Sequence, residues 1–142
     1  MTDNITNLLA DVDAADDRAI TRFLYEEVAV LDDWNWGAWL DFFDDDCMYW
    51  APTQEDRVSR ERAKRISAFG TSVYFEENKV QLKQRVDRLL TNQAWGEEPP
   101  SRARHLITNV RVSAGTAPDE FIVKSNFLDY RSMGQRSQDY IT

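Results

Sequence analysis

The chain has 142 residues, of which 42% are hydrophobic and 12% aromatic, and this composition is typical of a globular protein. Its net charge is −8, and such an acidic surface repels the phosphates of nucleic acid, so nucleic-acid binding is not expected. The single cysteine, Cys47, allows no disulfide within the chain, and the polar start resembles no signal peptide. No apolar run reaches the roughly 18 residues that a membrane span needs. We therefore predict one cytoplasmic domain over residues 1–142, with residues 1–15 as a loose N-terminal arm.

The first helical pattern follows this arm. Apolar side chains between Ile20 and Leu31 recur at spacings of three and four residues, which place them on one face of a helix. Asp16 or Asp17 is expected to cap its start, because a short carboxylate can accept hydrogen bonds from free backbone amides of the first turn.

Two further helices and a short strand are predicted in the first half. A second helix is expected over residues 33–43, with Trp36 and Trp39 on its apolar face as core residues. The apolar, aromatic segment 47–51 indicates a strand. A third helix is predicted over residues 76–90, with acidic residues at its start and a basic residue near its end, as the helix dipole favours.

The second half of the chain is predicted to form a series of strands. Residues 91–95 are a candidate strand, and a Gly-Glu-Glu-Pro-Pro break follows at 96–100. Long β segments are predicted over 102–112 and 120–131, and another strand starts at residue 137.

Alternation along these segments assigns the side chains to two faces. In the first long segment, one face is predicted to carry Leu106, Thr108, Val110 and Val112, and the other His105, Ile107, Asn109 and Arg111. In the second, one face carries Phe121, Val123 and Phe127, and the other Ile122, Leu128 and Tyr130. Because helices precede strands rather than alternating with them, the predicted fold class is α+β.

The residue counts argue against a catalytic transition-metal centre. A zinc site needs three or four Cys, His or carboxylate ligands, and a Rieske cluster needs two cysteines and two histidines. One histidine and one cysteine supply neither set. The run Asp44–Asp46 lacks the spacing of a calcium loop and is interpreted as a solvated helix end.

His105 is the one side chain that titrates naturally near neutral pH. One hypothesis makes it a general base, oriented by an aspartate such as Asp45. The other, which we favour, makes it a partly buried structural residue of a strand, hydrogen-bonded to backbone or to a partner chain. Cys47 is interpreted as a small core residue, and Trp34 and Trp50 as residues of the core, a pocket or an interface.

A basic strip runs through the segment 53–70 of this acidic chain. It contains Arg57, Arg60, Arg62, Lys64 and Arg65. The strip is interpreted either as a solvated loop or as a docking surface for an acidic partner.

Several separated segments, in this order along the chain, together match one known family. They are FLYEE (23–27), LD (31–32), WL (39–40), YWAP (49–52), YFEENK (74–79), RVDRL (85–89), Trp95 followed by PPSRARHLITNV (99–110), EF (120–121), SNF (125–127) and YRS (130–132). The chain from about Arg18 onwards resembles the small (β) subunits of aromatic-ring-hydroxylating dioxygenases.

The resemblance implies a cystatin-like α+β cone, related to nuclear transport factor and scytalone dehydratase, with three N-terminal helices packed on a curved, mostly antiparallel sheet. It implies assembly with a large α subunit as three plus three chains, the small subunits forming a homotrimer. The large subunit would hold a Rieske 2Fe–2S cluster and a mononuclear iron. This chain would then be mainly structural, with no cofactor and no catalytic residue, in aromatic compound catabolism.

Three points remain as expectations. Candidate subunit contacts are Arg57, Arg60, Arg102, Arg104 and Trp95. The alternative functions are a stand-alone dehydratase or isomerase, using His105 with an acidic residue, and a non-catalytic ligand-binding module. The family continues beyond the equivalent of residues 140–142 with another turn and strand, so the chain is either truncated or lacks the family's last strand, which would expose a sheet edge.

Overall fold

The computed structural model describes five stretches of the chain, residues 12–54, 58–71, 73–91, 101–133 and 136–141. Helices and antiparallel strands are segregated along them, which confirms the predicted α+β class. The elements are α1 (Ala14–Asp32), α2 (Trp36–Leu40), β1 (Met48–Pro52), a 3₁₀ helix (Ser59–Lys64), β2 (Val73–Asn78), α3 (Lys79–Leu90), β3 (Arg102–Ala114), β4 (Phe121–Met133) and β5 (Arg136–Ile141).

The described residues fall into two compact units. One lies within Met1–Asn35 and Glu97–Thr142, and the other within Trp36–Gly96. The first unit contains α1 and an antiparallel sheet with the strand order β3-β4-β5. The second contains α2, α3 and the antiparallel pair β1-β2. Among the residues described in these units, no helix is both long and apolar enough to cross a membrane.

Helix α1 begins earlier than the apolar pattern indicated. Its N-cap is Asp13, whose carboxylate accepts a hydrogen bond from the backbone N–H of Ala15 at 3.1 Å. The prediction of Asp16 or Asp17 as the cap was wrong, because both lie within the first turn. Their charges there still favour the helix, since the first turn has free N–H groups and a positive dipole end.

The sheet of the first unit contains a bulge that changes the predicted faces of β3. Strands β3 and β4 pair regularly up to Thr108 opposite Asn126, and pairing resumes with Arg111 opposite Lys124. One extra residue is accommodated between them, and Asn109 adopts a left-handed conformation with φ of 53°.

Because of this bulge, strict alternation along β3 fails after Thr108. The register places Val112, beyond the bulge, on the same face as His105 and Ile107, while Arg111 joins Leu106 on the other face. The predicted grouping of Val112 with Leu106 and of Arg111 with His105 was therefore wrong. The grouping predicted for β4 is confirmed by its alternating burial between Phe121 and Phe127. Helix α1 packs against β3 in this unit.

The turn between β3 and β4 is closed by a glutamate. The backbone N–H of Gly115 donates to the Glu120 carbonyl at 2.7 Å, and a Cβ at Gly115 would lie only 2.5 Å from the Glu120 side chain. The Glu120 carboxylate accepts from the backbone N–H and hydroxyl of Thr116 and from the N–H of Ala117. These hydrogen bonds, the Thr116 hydroxyl foremost, hold the pKa of Glu120 below its usual value.

The core of the second unit is formed by α2, α3 and the β1-β2 pair. Leu82 and Val86 of α3 are fully buried, and Trp39 of α2 is 7% exposed. The Trp39 ring meets the rings of Phe43 and Tyr49 edge-on, with centroids 4.7 and 5.8 Å away. The prediction of Trp39 as a core residue is confirmed.

The segment before α3 corrects the predicted third helix. Residues 76–78, expected to be helical, belong to β2, where Glu77 pairs with Tyr49 and Glu76 with Trp50 of β1. The helix begins at Lys79 because Asn78 forms a capping box with Gln81, in which each side chain accepts a hydrogen bond from the other residue's backbone N–H. Of the candidate strand at 91–95, only Thr91 belongs to the described residues, and it is the C-cap of α3. Residues 92–95 lie outside them.

Candidate functional site

His105 lies on β3 beside the last residue of helix α1. The distance from its Nδ1 to Oδ1 of Asp32 is 2.8 Å. The His105 backbone N–H also donates to the Asp32 carboxylate, at 3.2 Å to Oδ1 and 3.3 Å to Oδ2. Asp32 therefore holds both the backbone and the ring of His105 and fixes the side of the imidazole that faces the helix.

The other ring nitrogen faces a second carboxylate. Asp129 of β4 is directly opposite His105 in the register, and its Oδ1 lies 3.8 Å from His105 Nε2. That oxygen is buried and has no hydrogen-bond partner. The side chains of His105, Asp32 and Asp129 are only 15–17% exposed. We call these three residues the His105 cluster.

The aspartate that contacts His105 is Asp32, whereas the sequence suggested one such as Asp45. Asp45 belongs to the second unit, where its 96% exposed side chain lies 3.1 Å from the Lys79 ammonium group. The Lys79 ammonium also donates to the Phe43 carbonyl at 2.6 Å, which ties it to the turn after α2. Asp45 thus belongs to a solvent-exposed ion pair, and Asp32 takes the place expected of it at His105.

Two signals in the sequence could have identified the members of the cluster. Asp32 follows the apolar stripe at the end of α1, so it is expected to lie near the surface against which the helix packs. Asp129 falls on the same face of β4 as Phe127, and an acidic residue among apolar positions indicates a buried partner.

The chemistry of the cluster does not favour the dehydratase or isomerase alternative. A general base needs a ring nitrogen that can reach the proton of a substrate. Here Nδ1 is bonded to Asp32, and Nε2 points at Asp129. The favoured hypothesis of a partly buried strand histidine agrees with this arrangement, but the partner of its ring is the Asp32 side chain and not the backbone or partner chain that was expected. Within the part of the chain that the structure describes, no group of three or more His, Cys, Asp or Glu residues is placed to hold a metal ion.

The candidate subunit contacts are distributed over both units. Arg102 and Arg104 are exposed on β3, and the Arg104 guanidinium reaches to 3.9 Å from the Asp32 carboxylate. Arg60 is exposed on the 3₁₀ helix. Arg57 and Trp95 lie outside the described residues.

One face of the β3-β4 pair, which we call the outer face, is basic and apolar. Cross-strand pairs on it include Arg104 with Tyr130, Leu106 with Leu128, and Arg111 with Lys124. Leu106 is 55% exposed, and Arg111 and Lys124 are also exposed. Like charges directly opposite each other in a sheet are destabilising, so the Arg111–Lys124 pair is a feature that folding alone does not explain.

A charged pair in the second unit joins α3 to β2. Arg85 donates through Nε to Oε2 of Glu77 at 3.0 Å and through Nη2 to Oε1. Its guanidinium also lies 4.6 Å from the centre of the Phe75 ring. The hydrogen bonds lower the pKa of Glu77 and raise the pKa of Arg85.

The other residues singled out from the sequence, Trp34, Trp50 and Cys47, lie in surroundings that fit a structural role. The indole N–H of Trp34 donates to the Ser101 carbonyl at 2.9 Å, although the residue is 42% exposed. Trp50 is 40% exposed, and its ring lies 6.1 Å from that of Phe69. Cys47 is half-buried, as a small residue beside the core would be.

Comparisons with known proteins bring the fold and sequence motifs together. Residues 26–142 match the family described as ring hydroxylating beta subunit. The chain is 44% identical over 119 residues, 84% of its length, to the 3-phenylpropionate/cinnamic acid dioxygenase subunit beta of Photorhabdus laumondii. It spans 66% of the length of that relative.

Two solved structures share the fold. A chain of naphthalene 1,2-dioxygenase with indole in its active site superposes with a TM-score of 0.79 at 25% identity, over 99% of this chain and 73% of the other. The beta subunit of benzoate 1,2-dioxygenase from Burkholderia mallei gives a TM-score of 0.68 at 27% identity, over 92% of this chain and 75% of the other. The predicted cystatin-like α+β fold is thereby confirmed.

The α+β fold and the sequence motifs together define the class of ring-hydroxylating beta subunits. The chain belongs to the ring-hydroxylating beta subunit family. The resemblance stated from the sequence is therefore confirmed.

Proposed function

We propose that this chain is the small subunit of an aromatic-ring-hydroxylating dioxygenase. The observation that carries the proposal is the family match over residues 26–142. The 44% identity to a named dioxygenase beta subunit supports it.

In this proposal the chemistry is divided between two chains. A large α subunit holds the Rieske cluster and the mononuclear iron, and the small subunit supports the assembly. The His105 cluster supports this division, because the chain's one histidine is engaged on both sides by carboxylates instead of being presented to a substrate. The single free cysteine suits a reducing compartment, and we propose the cytoplasm as the location.

The substrate class in this proposal is an aromatic compound. The relative is named for 3-phenylpropionate and cinnamic acid, and the structural neighbours for naphthalene and benzoate. All four are aromatic, and three of them also carry a carboxylic acid group. The phenylpropanoid acids are the first substrates to test, because the relative named for them has the higher sequence identity.

The outer face of β3 and β4 is our proposed contact surface for the partner subunit. Arg102 and Arg104 belong to it, as the sequence suggested, and Arg60 and Arg57 of the basic strip are proposed as further contacts. A partner with acidic groups would offset the repulsion between Arg111 and Lys124. Three small and three large chains are the proposed stoichiometry.

Co-expression tests the proposed function. The chain is produced with a large subunit encoded beside it that contains paired Cys-x-His and Cys-x-x-His motifs, and the complex is purified through a tag on this chain. We expect a stable complex that contains iron, has the native mass of three plus three subunits and dihydroxylates a phenylpropanoid acid. Failure to recover any large subunit would reject the proposal.

Charge reversal tests the contact surface separately. Arg111→Glu with Lys124→Glu should weaken the complex, and the weakening should depend on salt because exposed charges are screened. The control is Arg22→Glu on the exposed side of α1, where the side chain is 82% exposed. Equal assembly of both variants would reject the outer face as the contact and leave the proposed function standing.

A further inference from the structure

We propose that the edge of strand β3 that faces away from β4 is closed against a second copy of this chain, by side chains bonded to its backbone and by the β3 bulge. The inference goes beyond the proposed function, because it concerns an association that the chain avoids. Removing either feature should allow two copies to pair along β3.

Strand β3 is long and lies at the edge of its sheet. It has 13 residues, against about 5–6 in a typical strand. The strand order is β3-β4-β5, so within the described part of the chain β3 pairs with a strand on one side only. An edge strand presents a row of backbone N–H and C=O groups to which another chain can add a strand. Natural sheets therefore carry features that prevent such pairing.

The hydrogen bond of the His105 backbone shows which groups of β3 point to this edge. In an antiparallel pair, opposite residues alternate between bonding to each other and bonding outwards. The His105 N–H donates to the Asp32 carboxylate at 3.2 Å, so it points away from Asp129, its opposite residue on β4. By the same alternation, the backbone groups of Ala103 and Ile107 also point to the edge.

Side chains occupy the first part of this edge. At three successive positions a backbone group is bonded to a side chain: Trp34 donates to the Ser101 carbonyl at 2.9 Å, Arg104 donates to the Ala103 carbonyl at 2.8 Å, and Asp32 accepts from the His105 N–H. An incoming strand would have to displace these side chains before it could form its own hydrogen bonds. The first part of the edge is thus already covered by the chain itself.

The bulge interrupts the rest of the edge. After Ile107, the next residue whose backbone points outwards is Val112, five positions on instead of two, because the bulge adds one residue. Asn109, within the bulge, has a φ of 53° and leaves the extended conformation. A regular strand could not follow both sides of the bulge in one register, and bulges are a known protection of sheet edges.

Helix stability does not account for the acidic residue that caps the edge. Asp32 is the last residue of α1, and the last turn of this helix contains no basic residue. A carboxylate at a helix C-terminus is unfavourable, because it faces the negative end of the helix dipole. The bond to the His105 N–H gives this carboxylate a role that the helix alone does not.

Self-association of the full chain tests the capping side chain. Asp32→Ala removes the acceptor, and sedimentation velocity should show association beyond the state of the unmodified chain, at a protein concentration about tenfold lower than the unmodified chain needs. Asp32→Asn retains an accepting oxygen and should behave as the unmodified chain does. The matched control is Asp33→Ala, which removes the same charge from the exposed C-cap. Equal association of the two alanine variants would overturn the proposal.

A proline variant separates edge pairing from a loosened helix. Ala103→Pro removes an N–H that points to the edge, and proline is tolerated in edge strands. Added to Asp32→Ala, it should return the association to the level of the unmodified chain. In Asp32→Ala alone, the associated form should protect the Ile107 amide from hydrogen exchange. Association that persists in the double variant would overturn the proposal.

Deletion of Asn109 tests the bulge with the helix end untouched. Without the extra residue, the outward-pointing positions from Ile107 to Ala114 form one continuous row. The deletion variant should therefore also associate at a protein concentration about tenfold lower than the unmodified chain needs. Because it retains Asp32, it decides the matter even if Asp32→Ala does not fold. A deletion variant that associates no more than the unmodified chain would overturn the proposal.

Discussion

Arg85 and Glu77 form a bidentate ion pair between helix α3 and strand β2, eight residues apart in the chain. The Glu77 side chain is 17% exposed and the Arg85 side chain 35% exposed, so the pair is partly shielded from water. The guanidinium also covers the Phe75 ring, which joins the ion pair to the aromatic cluster of the second unit. The middle of α3 is thus held to the strand before it by charge and by packing.

Glu77→Gln should lower the free energy of unfolding by about 1–3 kcal/mol, the usual range for hydrogen bonds to charged groups. Because the Arg85 hydrogen bonds lower the pKa of Glu77 in the folded chain, the pair stabilises above the carboxyl's ordinary pKa. The contribution is lost as the pH falls through the lowered value. Urea unfolding between pH 7 and 3 should therefore show a smaller acid loss for the variant.

The matched control is Asp87→Asn, which breaks the exposed pair with Lys83 one turn away on α3. Exposed pairs of this spacing contribute about 0.3–0.5 kcal/mol. If both variants lost the same stability, the Glu77 pair would have no special role.

Asn78→Ala should destabilise the chain by about 1 kcal/mol, because it removes the capping box at the start of α3. The N–H of Gln81 loses its acceptor, which the side chain of Asn78 provides at 3.0 Å. Thermal unfolding followed by circular dichroism measures the loss. Asn78→Asp should retain most of the stability, since aspartate is an equally good cap; a loss as large as that of the alanine variant would contradict the capping role.

Leu82→Ala should cost about 2–5 kcal/mol, the usual cost of removing a fully buried leucine side chain. Leu82 is 0% exposed at the centre of the second unit. The control is Leu90→Ala in the last turn of the same helix, where the residue is 58% exposed and the cost should be well under half as large. Equal losses in chemical denaturation would show that α3 is not anchored through Leu82.

Trp34→Phe should cost about 1–3 kcal/mol, because the Ser101 carbonyl loses the indole N–H and is left without that donor. Ser101 is 7% exposed, so water cannot readily replace the lost bond. Trp50→Phe removes an indole N–H at a similarly exposed tryptophan and should cost less. A larger loss at Trp50 in urea unfolding would contradict the assignment.

The sequence predicted the elements whose patterns are local and continuous. The stripe from Ile20 to Leu31 gave α1, and alternation gave β4, because one face of each is less exposed than the other over several turns or residues. The prediction failed at Glu76 and Glu77, because acidic residues favour the start of a helix but are also compatible with a strand. Pairing with β1, a contact between distant segments, decided between them.

The candidate site was predicted in part. His105 was identified by its residue type, but its partner Asp32 lies 73 residues away in the chain and no spacing rule connects them. Asp45 was suggested because it belongs to a run of three aspartates, and such a run does not show which residues lie close to one another in the fold. The bulge at Asn109 was not predicted either, because one extra residue barely changes the alternation of polar and apolar residues. The one sign of it in the sequence is the asparagine itself, a residue type that tolerates a positive φ.

The bulge in β3 makes one position of the strand tolerant to the loss of a residue. Asn109 and Val110 lie between Thr108 and Arg111, and only Ser125 lies opposite them on β4. Deleting Asn109 alone would remove the extra residue and leave Arg111 and Val112 on their present faces. Deleting a residue from the regularly paired part of β3 would instead turn the side chains on one side of the deletion to the opposite face.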